Sequence, residues 1–197
     1  EYYTVWAHQI KTPIAAMRLL VSEESGERNR ELNDQLLNIE RYVEMALGYV
    51  RLDSESSDLV LCRSDLDSML CGVIRRYASR FIRKKIRLVY EPIHIRVLTD
   101  EKWFCFLLDQ LLSNALKYTK AGSVTITLEE PMTLLIADTG IGIAPEDLPR
   151  VFEKGYTGCN GRADQRATGI GLYLSKRIAD RLGHRISVSS RVGVGTE

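Results

Sequence analysis

A histidine near the start of the chain stands in a stretch that could support nucleophilic chemistry. The segment reads Trp6-Ala7-His8-Gln9-Ile10-Lys11-Thr12-Pro13-Ile14. An unperturbed imidazole is mostly neutral near pH 7, and a neutral imidazole is a nitrogen nucleophile. On a helix, Lys11 and Thr12 would share the face of His8, because they follow it by three and four residues. The alternative is a kinked bundle helix whose histidine has no function.

A second group of polar residues has the spacing of one helical stripe. Gln110, Asn114 and Lys117 lie at positions i, i+4 and i+7 among leucines that face elsewhere. Carboxamide oxygens can complete a magnesium shell that also holds phosphates and water, and a lysine ammonium can bind a phosphate. The alternative is an exposed polar helix face.

A third segment, Asp138-Thr139-Gly140-Ile141-Gly142-Ile143, follows a short apolar run that predicts a strand. A carboxylate at a strand end can accept the amino hydrogens of adenine. Gly140 and Gly142 would let the backbone approach the base closely, and Ile141 and Ile143 are candidate walls of an apolar slot. A glycine turn preceded by a capping aspartate is the alternative.

A fourth segment, Ala167-Thr168-Gly169-Ile170-Gly171-Leu172, opens a predicted helix. Backbone N–H groups at a helix N-terminus form an anion site suited to phosphates. A G-x-G pattern alone is weak, and it is here neither a Rossmann fingerprint nor a P-loop.

The segment between these two glycine motifs, Glu153 to Ala167, is polar and contains three glycines. It can bury little apolar surface, so we expect a mobile lid over a nucleotide. Arg162 or Arg166 could reach a phosphate when the lid closes.

The N-terminal quarter must position His8, and its apolar residues repeat at alternating spacings of four and three, which predicts two bundle helices. Pro13 should bend the first helix just after His8. A hairpin of two helices leaves both stripes half exposed, so we expect a homodimeric four-helix bundle; the alternative is that the stripe packs on its own chain. The stripes are Tyr3, Ala7, Ile10, Ile14, Met17 and Val21 in a helix over residues 1–24, and Leu32, Leu36, Ile39, Val43, Ala46 and Val50 in a helix over about 27–54.

The polar segment 53–58 is the expected boundary between a hairpin domain, residues 1–54, and a second domain, residues 59–197. The pattern beyond it predicts an α/β sandwich, so the whole chain is expected to be α+β. The basic residues of the third helix are interpreted as a solvated face: Arg75, Arg76, Arg80, Arg83, Lys84 and Lys85. Helices are predicted over 65–83, 100–119 and 171–182, and strands over 86–90, 95–98, 124–128, 133–138 and 185–190, with a hairpin between 124–128 and 133–138.

The segment His-Gln-x-Lys-Thr-Pro resembles the phospho-acceptor box of bacterial sensor histidine kinases. The order of the later motifs is similar to the ATP-binding domain shared by histidine kinases, gyrase, Hsp90 and MutL. Val151-Phe152-Glu153 resembles the phenylalanine box of these kinases, and Gly193-Val194-Gly195-Thr196 resembles their last glycine box. Two positions depart from the family pattern: Gln9, usually an acidic residue, and Gln110, usually asparagine.

The resemblance implies ATP-dependent autophosphorylation of His8, followed by transfer to an aspartate on the receiver domain of a response regulator. Gln9 would orient His8 without serving as a stable base, and Thr12 would orient a water for regulator dephosphorylation. ATP and Mg²⁺ are the implied cofactors, with Asn114 and Gln110 as metal ligands. The implied nucleotide site comprises Gln110, Asn114, Lys117, Tyr118, Asp138, Gly140, Gly142, Ile143, Arg166, Thr168, Gly169, Gly171 and Leu172.

Two other functions stay open: a gyrase-type ATPase that does not phosphorylate itself, and a dimeric pseudokinase that binds nucleotide only as a ligand. A net charge of +1 over 197 residues gives no bulk electrostatic reason to expect nucleic acid. The four cysteines have no C-x-x-C spacing, which predicts reduced thiols and no zinc site. The heptad pattern is already running at Tyr3, so we expect a cytoplasmic fragment of a longer protein, held in the cell membrane through a missing N-terminal sensor.

Overall fold

The computed structural model describes residues 2–22, 27–53, 59–158 and 168–197. The chain divides into two compact units, Glu1–Ser57 and Asp58–Glu197, and each is described by itself. Helices come first and a mixed sheet follows, which confirms the predicted α+β class. No helix within the described ranges is both long enough and apolar enough to cross a membrane.

The first unit is a pair of helices. They are α1 (Tyr2–Ser22) and α2 (Glu27–Asp53), which pack against each other. Arg18 on α1 and Glu40 on α2 form an ion pair with an N–O distance of 3.1 Å. The two predicted helices are therefore confirmed, and Pro13 lies within α1 as expected.

The apolar stripes of this unit are covered unevenly. Ile14 and Leu36 are only 3% and 7% exposed, so they form the contact between the helices. Met17, Leu32 and Ile39 belong to the same stripes, yet they are 44%, 45% and 45% exposed. The hairpin thus buries part of its heptad pattern and leaves a second part open to water.

Within residues 59–158 and 168–197, the second unit shows a five-stranded sheet, a two-stranded sheet and three α-helices. The elements are β1 (Cys62–Asp65), α3 (Leu66–Lys84), β2 (Ile86–Tyr90), β3 (Arg96–Thr99), α4 (Glu101–Tyr118), β4 (Gly122–Glu129), β5 (Thr133–Asp138), a 3-10 turn (Leu148–Arg150), α5 (Gly171–Arg181), β6 (Ser190–Arg191) and β7 (Gly195–Thr196). The larger sheet has the order β2-β4-β5-β7-β6, with β2 parallel to β4 and the other pairs antiparallel. β1 pairs with β3 in the small sheet.

Local sequence explains where the main elements lie. Asp65 and Asp100 cap α3 and α4, because their carboxylates accept the N–H groups of residues three positions later at 2.7 and 3.1 Å. On β4, Val124 and Ile126 are 0% and 1% exposed, as expected for alternate residues on the inner face of a sheet. The predicted hairpin is confirmed as β4 and β5. α3 packs on β2, α4 on β5, and α5 on α4.

The prediction of a strand over 185–190 was wrong in extent. The strand covers only Ser190–Arg191, with one further pair of backbone hydrogen bonds between Ser189 and Glu197, at 2.8 and 2.9 Å. β7 offers only Gly195 and Thr196 as ladder partners. Alternation of apolar and polar residues indicates that a segment can form a strand. A strand also needs an adjacent strand with which to form backbone hydrogen bonds.

The interpretation of the basic face of α3 as solvated was wrong for Lys84 and incomplete for Arg76, which is exposed but ion-paired. Arg76 forms an ion pair with the buried carboxylate of Asp109 on α4, with an N–O distance of 3.2 Å. Lys84 donates its ammonium hydrogens to the carbonyls of Leu116 and Thr119, the latter at 3.2 Å, and burial lowers the pKa of Lys84. These contacts fasten α3 to both halves of α4.

We predict that Tyr77→Phe destabilises the second unit by about 1–3 kcal/mol, because it removes a donor from a buried carboxylate. The Tyr77 hydroxyl donates to Asp109 Oδ2 at 2.9 Å, and Tyr77 is 1% exposed. Urea unfolding can be followed by Trp103 fluorescence in a Trp6→Phe background, since the chain has two tryptophans.

Tyr173→Phe is the matched control. The Tyr173 hydroxyl only accepts a partly buried bond from Arg177, at 3.1 Å, so its loss should cost less than about 0.5 kcal/mol. Equal unfolding free energies for the two variants would contradict the role of Tyr77 in joining α3 to α4.

Candidate nucleotide-binding site

The polar stripe of α4 is not an exposed helix face. Gln110 is 4% exposed, while Asn114 and Lys117 are half-buried. The Lys117 ammonium lies 4.9 Å from the centre of the Tyr118 ring. Gln110 Nε2 is buried and has no hydrogen-bond partner among the described residues. Gln110 therefore contributes to this stripe a buried donor that no described residue uses.

The turn that begins at Asp138 lies directly against the C-terminal end of α4. The Ile141 N–H donates to the Tyr118 carbonyl at 3.2 Å, and the Gly140 N–H donates to Asp138 Oδ1 at 2.7 Å. A Cβ atom at Gly140 would stand 2.6 Å from both of these acceptor oxygens. Only glycine fits there, so the carboxylate and the end of α4 are held close together by the absence of a side chain.

The hairpin of β6 and β7 holds the same turn from the other side. The Gly193 N–H donates to the Ile141 carbonyl at 2.9 Å, and the Ile143 N–H donates to Ser190 Oγ at 2.8 Å. At Gly142, where φ is +72°, a Cβ atom would stand 2.2 Å from the Arg191 carbonyl oxygen. The backbone of the turn is therefore fixed on both sides.

Asp138 is the last residue of β5 and pairs with Thr196 on β7. Burial raises the pKa of its carboxyl, and the N–H groups of Gly140 and Thr196 oppose this rise by donating to the charged form. The carboxylate is thus a partly buried hydrogen-bond acceptor at the start of the turn. Such an acceptor suits the amino group of a purine.

The N-terminus of α5 approaches the middle of α4. At the opposite end of α5, His184 contacts Thr99 Oγ1 at 3.1 Å and meets the Phe104 ring edge-on at 5.5 Å between centroids. Since α5 packs along α4 and rises ~1.5 Å per residue, its 11 residues bring its first turn back to the region of Asn114. The N-terminus of α5 therefore lies beside the helix that carries the carboxamide stripe.

The segment before α5 is anchored by a close backbone contact. The Gly155 N–H donates to the Gly169 carbonyl at 3.0 Å, and a Cβ at Gly169 would stand 2.4 Å from the Gly155 carbonyl carbon. Ile170 caps α5 without a side-chain bond to its first N–H groups, and such groups at a helix N-terminus can bind an anion. Most of the predicted lid, with Arg162 and Arg166, lies outside the described residues.

Unit Asp58–Glu197 therefore brings most of the predicted site residues together around the C-terminal half of α4. Asn114, Lys117 and Tyr118 lie on that helix, the Asp138 turn meets its end, and α5 begins beside it. His8 and Gln9 belong to α1 in the first unit, and their side chains lie outside the described residues; Thr12 is exposed there.

Sequence reasoning missed three residues that support this site, Ser190, Thr119 and Lys84, and it named Thr196 only as part of the last glycine box. Ser190 and Thr196 contact each other at 2.9 Å between hydroxyl oxygens beside the glycine turn. At the C-terminal end of α4, the Lys84 ammonium donates a hydrogen bond to the Thr119 carbonyl. The one available signal was that Thr119 directly follows the Lys117-Tyr118 pair; the others depend on long-range packing.

Within the described ranges, no group of three or more His, Cys, Asp or Glu side chains could hold a metal ion. Cys62, Cys71 and Cys105 are free thiols, and Cys159 lies outside the described residues. A magnesium ion at this site would therefore need phosphate and water oxygens to fill its shell. The half-buried carboxamide of Asn114 fits such a shared shell.

Comparison with known proteins defines the class. Residues 99–197, half of the chain, match the family model of the histidine kinase-, DNA gyrase B-, and HSP90-like ATPase. The chain belongs to this family, and the resemblance seen in its motifs is confirmed.

Individual relatives are more specific. The chain is 35% identical over 204 residues to the sensor histidine kinase YxdK of Bacillus subtilis, covering 99% of this chain and 62% of that protein. It is 38% identical over 195 residues to the sensor protein BceS of Halalkalibacterium halodurans, covering 97% and 58%. The chain thus spans about three fifths of the length of these relatives.

Solved structures agree on the fold. The Acinetobacter baumannii histidine kinase AdeS superimposes with a TM-score of 0.63 at 22% identity, covering 96% of this chain and 94% of that one. Full-length ShkA in complex with AMPPNP also gives a TM-score of 0.63, at 24% identity, covering 100% of this chain and 44% of that one.

We predict that Gly195→Ala weakens binding of ADP by about tenfold or more, because backbone strain at a ligand site is transmitted to its geometry. A Cβ at Gly195 would stand 1.8 Å from the Asp138 carbonyl oxygen, so β7 and β5 must separate. Calorimetric titration with ADP and Mg²⁺ measures the effect.

Gly193→Ala is the control. Gly193 also has a positive φ, +77°, but no atom lies within 4 Å of its built Cβ, so it carries backbone strain of roughly 1–2 kcal/mol without the clash. ADP affinities that fall equally in both variants would show that the contact with Asp138 is irrelevant.

Proposed function

We propose that this chain is the kinase core of a bacterial sensor histidine kinase, which transfers the γ-phosphoryl group of ATP to His8. The observation that carries the proposal is the convergence of three motifs on the C-terminal half of α4. They are the carboxamide stripe, the Asp138 turn and the N-terminus of α5. This arrangement suits a purine nucleotide, because it combines a hydrogen-bond acceptor, a backbone that a base can approach closely and an anion site at a helix N-terminus.

In this proposal Asp138 accepts the amino hydrogens of adenine, while Gly140 and Gly142 let the base approach and Ile143 lines the slot. Lys117 and Tyr118 line the phosphate and adenine sides. Mg²⁺ would be held by Asn114, with Gln110 as a second ligand, and would neutralise phosphate charge when bound. The phosphates meet the start of α5, formed by Thr168, Gly169, Gly171 and Leu172, and Arg166 approaches them from the lid.

The transfer step is an in-line displacement. A ring nitrogen of His8 forms a bond to the γ-phosphorus while the bond from that phosphorus to the bridging oxygen of ADP breaks. The other ring nitrogen loses its proton to water, since the carboxamide of Gln9 can accept a hydrogen bond but cannot hold the proton. The products are ADP and phosphohistidine.

We also propose that the first unit is a homodimer. Met17, Leu32 and Ile39 follow the heptad spacing yet are nearly half exposed in one copy, whereas Ile14 and Leu36 are buried. A second hairpin would cover the exposed part and form a four-helix bundle.

The partner that receives the phosphoryl group is an aspartate on the receiver domain of a response regulator. Thr12, exposed on α1 four residues after His8, would orient the water that hydrolyses the phosphoaspartate of the regulator and releases inorganic phosphate. The full protein would be attached to the cell membrane through an N-terminal region, with this part in the cytoplasm. Nucleic acid is not an expected partner.

Incubation with γ-labelled ATP and Mg²⁺ tests the function. We expect acid-labile, base-stable label on the wild-type chain, because the phosphoramidate bond of phosphohistidine is cleaved by acid and resists base, and none on His8→Ala, because that variant lacks the accepting imidazole. His8→Ala should still bind ADP with wild-type affinity. Label that survives the substitution would contradict the proposal. ADP binding without any label on the wild type would indicate the pseudokinase, and steady release of phosphate without label would indicate the ATPase.

Residue 9 is glutamine, whereas the family usually has an acidic residue there, and this difference leads to a separate prediction. Gln9→Glu should raise the rate of autophosphorylation by about tenfold or more, since a positioned general base contributes ~10²-fold or more in favourable cases. Initial rates of labelling at saturating ATP measure the change, and Gln9→Asn is the control that keeps a carboxamide. An unchanged or lower rate in the glutamate variant would reject a proton-accepting role for this position.

A further inference from the structure

Asp147 is a buried acidic residue that belongs to none of the motifs described above. It is 7% exposed, and its side chain does not cap the 3-10 turn that it precedes. An aspartate is rarely buried unless its oxygens have partners. One partner here is Tyr156, whose hydroxyl donates to Asp147 Oδ1. This bond joins the segment after the 3-10 turn to the loop before it.

Tyr156 is held in place on the other side of this bond. The guanidinium carbon of Arg150 lies 4.2 Å from the centre of the Tyr156 ring, within the range of a cation–π contact. Arg150 Nε in turn pairs with Glu153 Oε2 at 3.0 Å. The Tyr156 N–H donates to the Glu153 carbonyl at 3.2 Å. Both the ring and the backbone of Tyr156 are therefore fixed, with its hydroxyl directed at Asp147.

The backbone of Asp147 connects this pair to the adenine end of the proposed site. The Asp147 N–H donates to the Ala144 carbonyl at 2.9 Å. Ala144 directly follows Ile143, whose N–H donates to Ser190 Oγ at 2.8 Å. Ile143 is the last residue of the glycine turn that begins at Asp138. Asp147 is thus joined to that turn through one short loop.

The backbone of Tyr156 connects the pair to the phosphate end. The Gly155 N–H donates to the Gly169 carbonyl at 3.0 Å, and a Cβ atom at Gly169 would stand 2.7 Å from the Tyr156 nitrogen. Only Ile170 separates Gly169 from Gly171, the first residue of α5. A displacement of Tyr156 would therefore move the backbone that leads into the N-terminus of α5.

The second oxygen of Asp147 is also in a close contact. A Cβ atom at Gly158 would stand 2.9 Å from Asp147 Oδ2, at a φ of +60°. Gly158 therefore leaves the space that the carboxylate occupies, in a backbone conformation that glycine adopts without strain. The two oxygens of Asp147 thus meet two positions of one segment, the Tyr156 hydroxyl and the Gly158 backbone.

We propose that Asp147 and Tyr156 are a pair of positioning residues that hold the adenine end and the phosphate end of the nucleotide site in register. The inference rests on the proposed function, because it takes the Asp138 turn as the base site and the start of α5 as the phosphate site. The pair acts through the backbone of Ala144 and of Gly169. It matters for a ligand that occupies both ends, and it does not matter for a ligand that occupies only the base end.

ADP and adenosine separate these two cases, because adenosine has the base but no phosphate. In the full 197-residue chain, Tyr156→Phe should lower the affinity for ADP by about tenfold, as expected when one hydrogen bond to a charged group that fixes the site is lost. The affinity for adenosine should stay unchanged. Calorimetric titration with ADP and Mg²⁺, followed by displacement of ADP with adenosine, gives both dissociation constants.

Tyr90→Phe is the matched control, because it removes the same kind of bond elsewhere. The Tyr90 hydroxyl donates to Asp67 Oδ1 in the first turn of α3. The contact of α3 with the end of α4 is made by Lys84, in the last turn of α3. The control bond therefore lies at the opposite end of α3 from this contact, and its loss should change neither affinity.

A second variant reaches Asp147 from its other oxygen and serves if Tyr156→Phe does not fold. Gly158→Ala places a methyl group against Oδ2, so it should reproduce the selective loss of ADP affinity. Gly183→Ala is its control, because Gly183 has a similar φ of +73° but no atom within 4 Å of a built Cβ. That variant carries the backbone strain without the contact and should bind ADP as the wild type does.

Equal weakening of ADP and adenosine in Tyr156→Phe would overturn the inference and leave the bond to Asp147 a purely structural one. An unchanged ADP affinity in that variant, or an equal loss in Tyr90→Phe, would overturn it as well. Failure of the wild type to bind ADP would instead contradict the proposed function, so the two failures are distinguishable.

Discussion

The nucleotide site depends on how the last turn of α4 is bonded. Helix C-termini leave carbonyls without intrahelical partners, and here those carbonyls receive donors from two other elements. Lys84 on α3 donates to Leu116 and Thr119, and the Ile141 N–H donates to Tyr118. The same unsatisfied groups that would weaken an isolated helix thus join α3, α4 and the Asp138 turn at one point.

This junction explains why glycine occurs where it does in the turn. Because backbone meets backbone at the end of α4, any side chain at Gly140 would occupy the space of the oxygens that define the contact. Gly142 and Gly195 have the same relation to Arg191 and Asp138 on the other side. The glycines are therefore needed for close packing of the strands and helix, as much as for approach of a ligand.

The sequence predicted those parts of the molecule that periodicity and local chemistry control. α4 and β5 were found almost residue for residue, and the Asp138 turn was placed at a strand end, because amphipathic spacing and glycine pairs are local signals. Lys84 was interpreted as solvated, and the strand at 185–190 was drawn too long, because both depend on partners about 30 or more residues away or on a neighbouring strand. Composition carries no information about those contacts.

The distribution of unsatisfied groups supports the location of the site independently of its motifs. Folded proteins pair nearly all buried polar atoms, since each one left unpaired costs roughly 1–3 kcal/mol. Within the described part of the second unit, the buried side-chain nitrogen and oxygen atoms without a protein partner are Gln110 Nε2 and Thr119 Oγ1. One lies on α4 and the other directly at its end, on the helix where the carboxamide stripe, the glycine turn and the start of α5 meet. Two such costs, one on this helix and one directly at its end, and none elsewhere in that described region, support a binding site along α4.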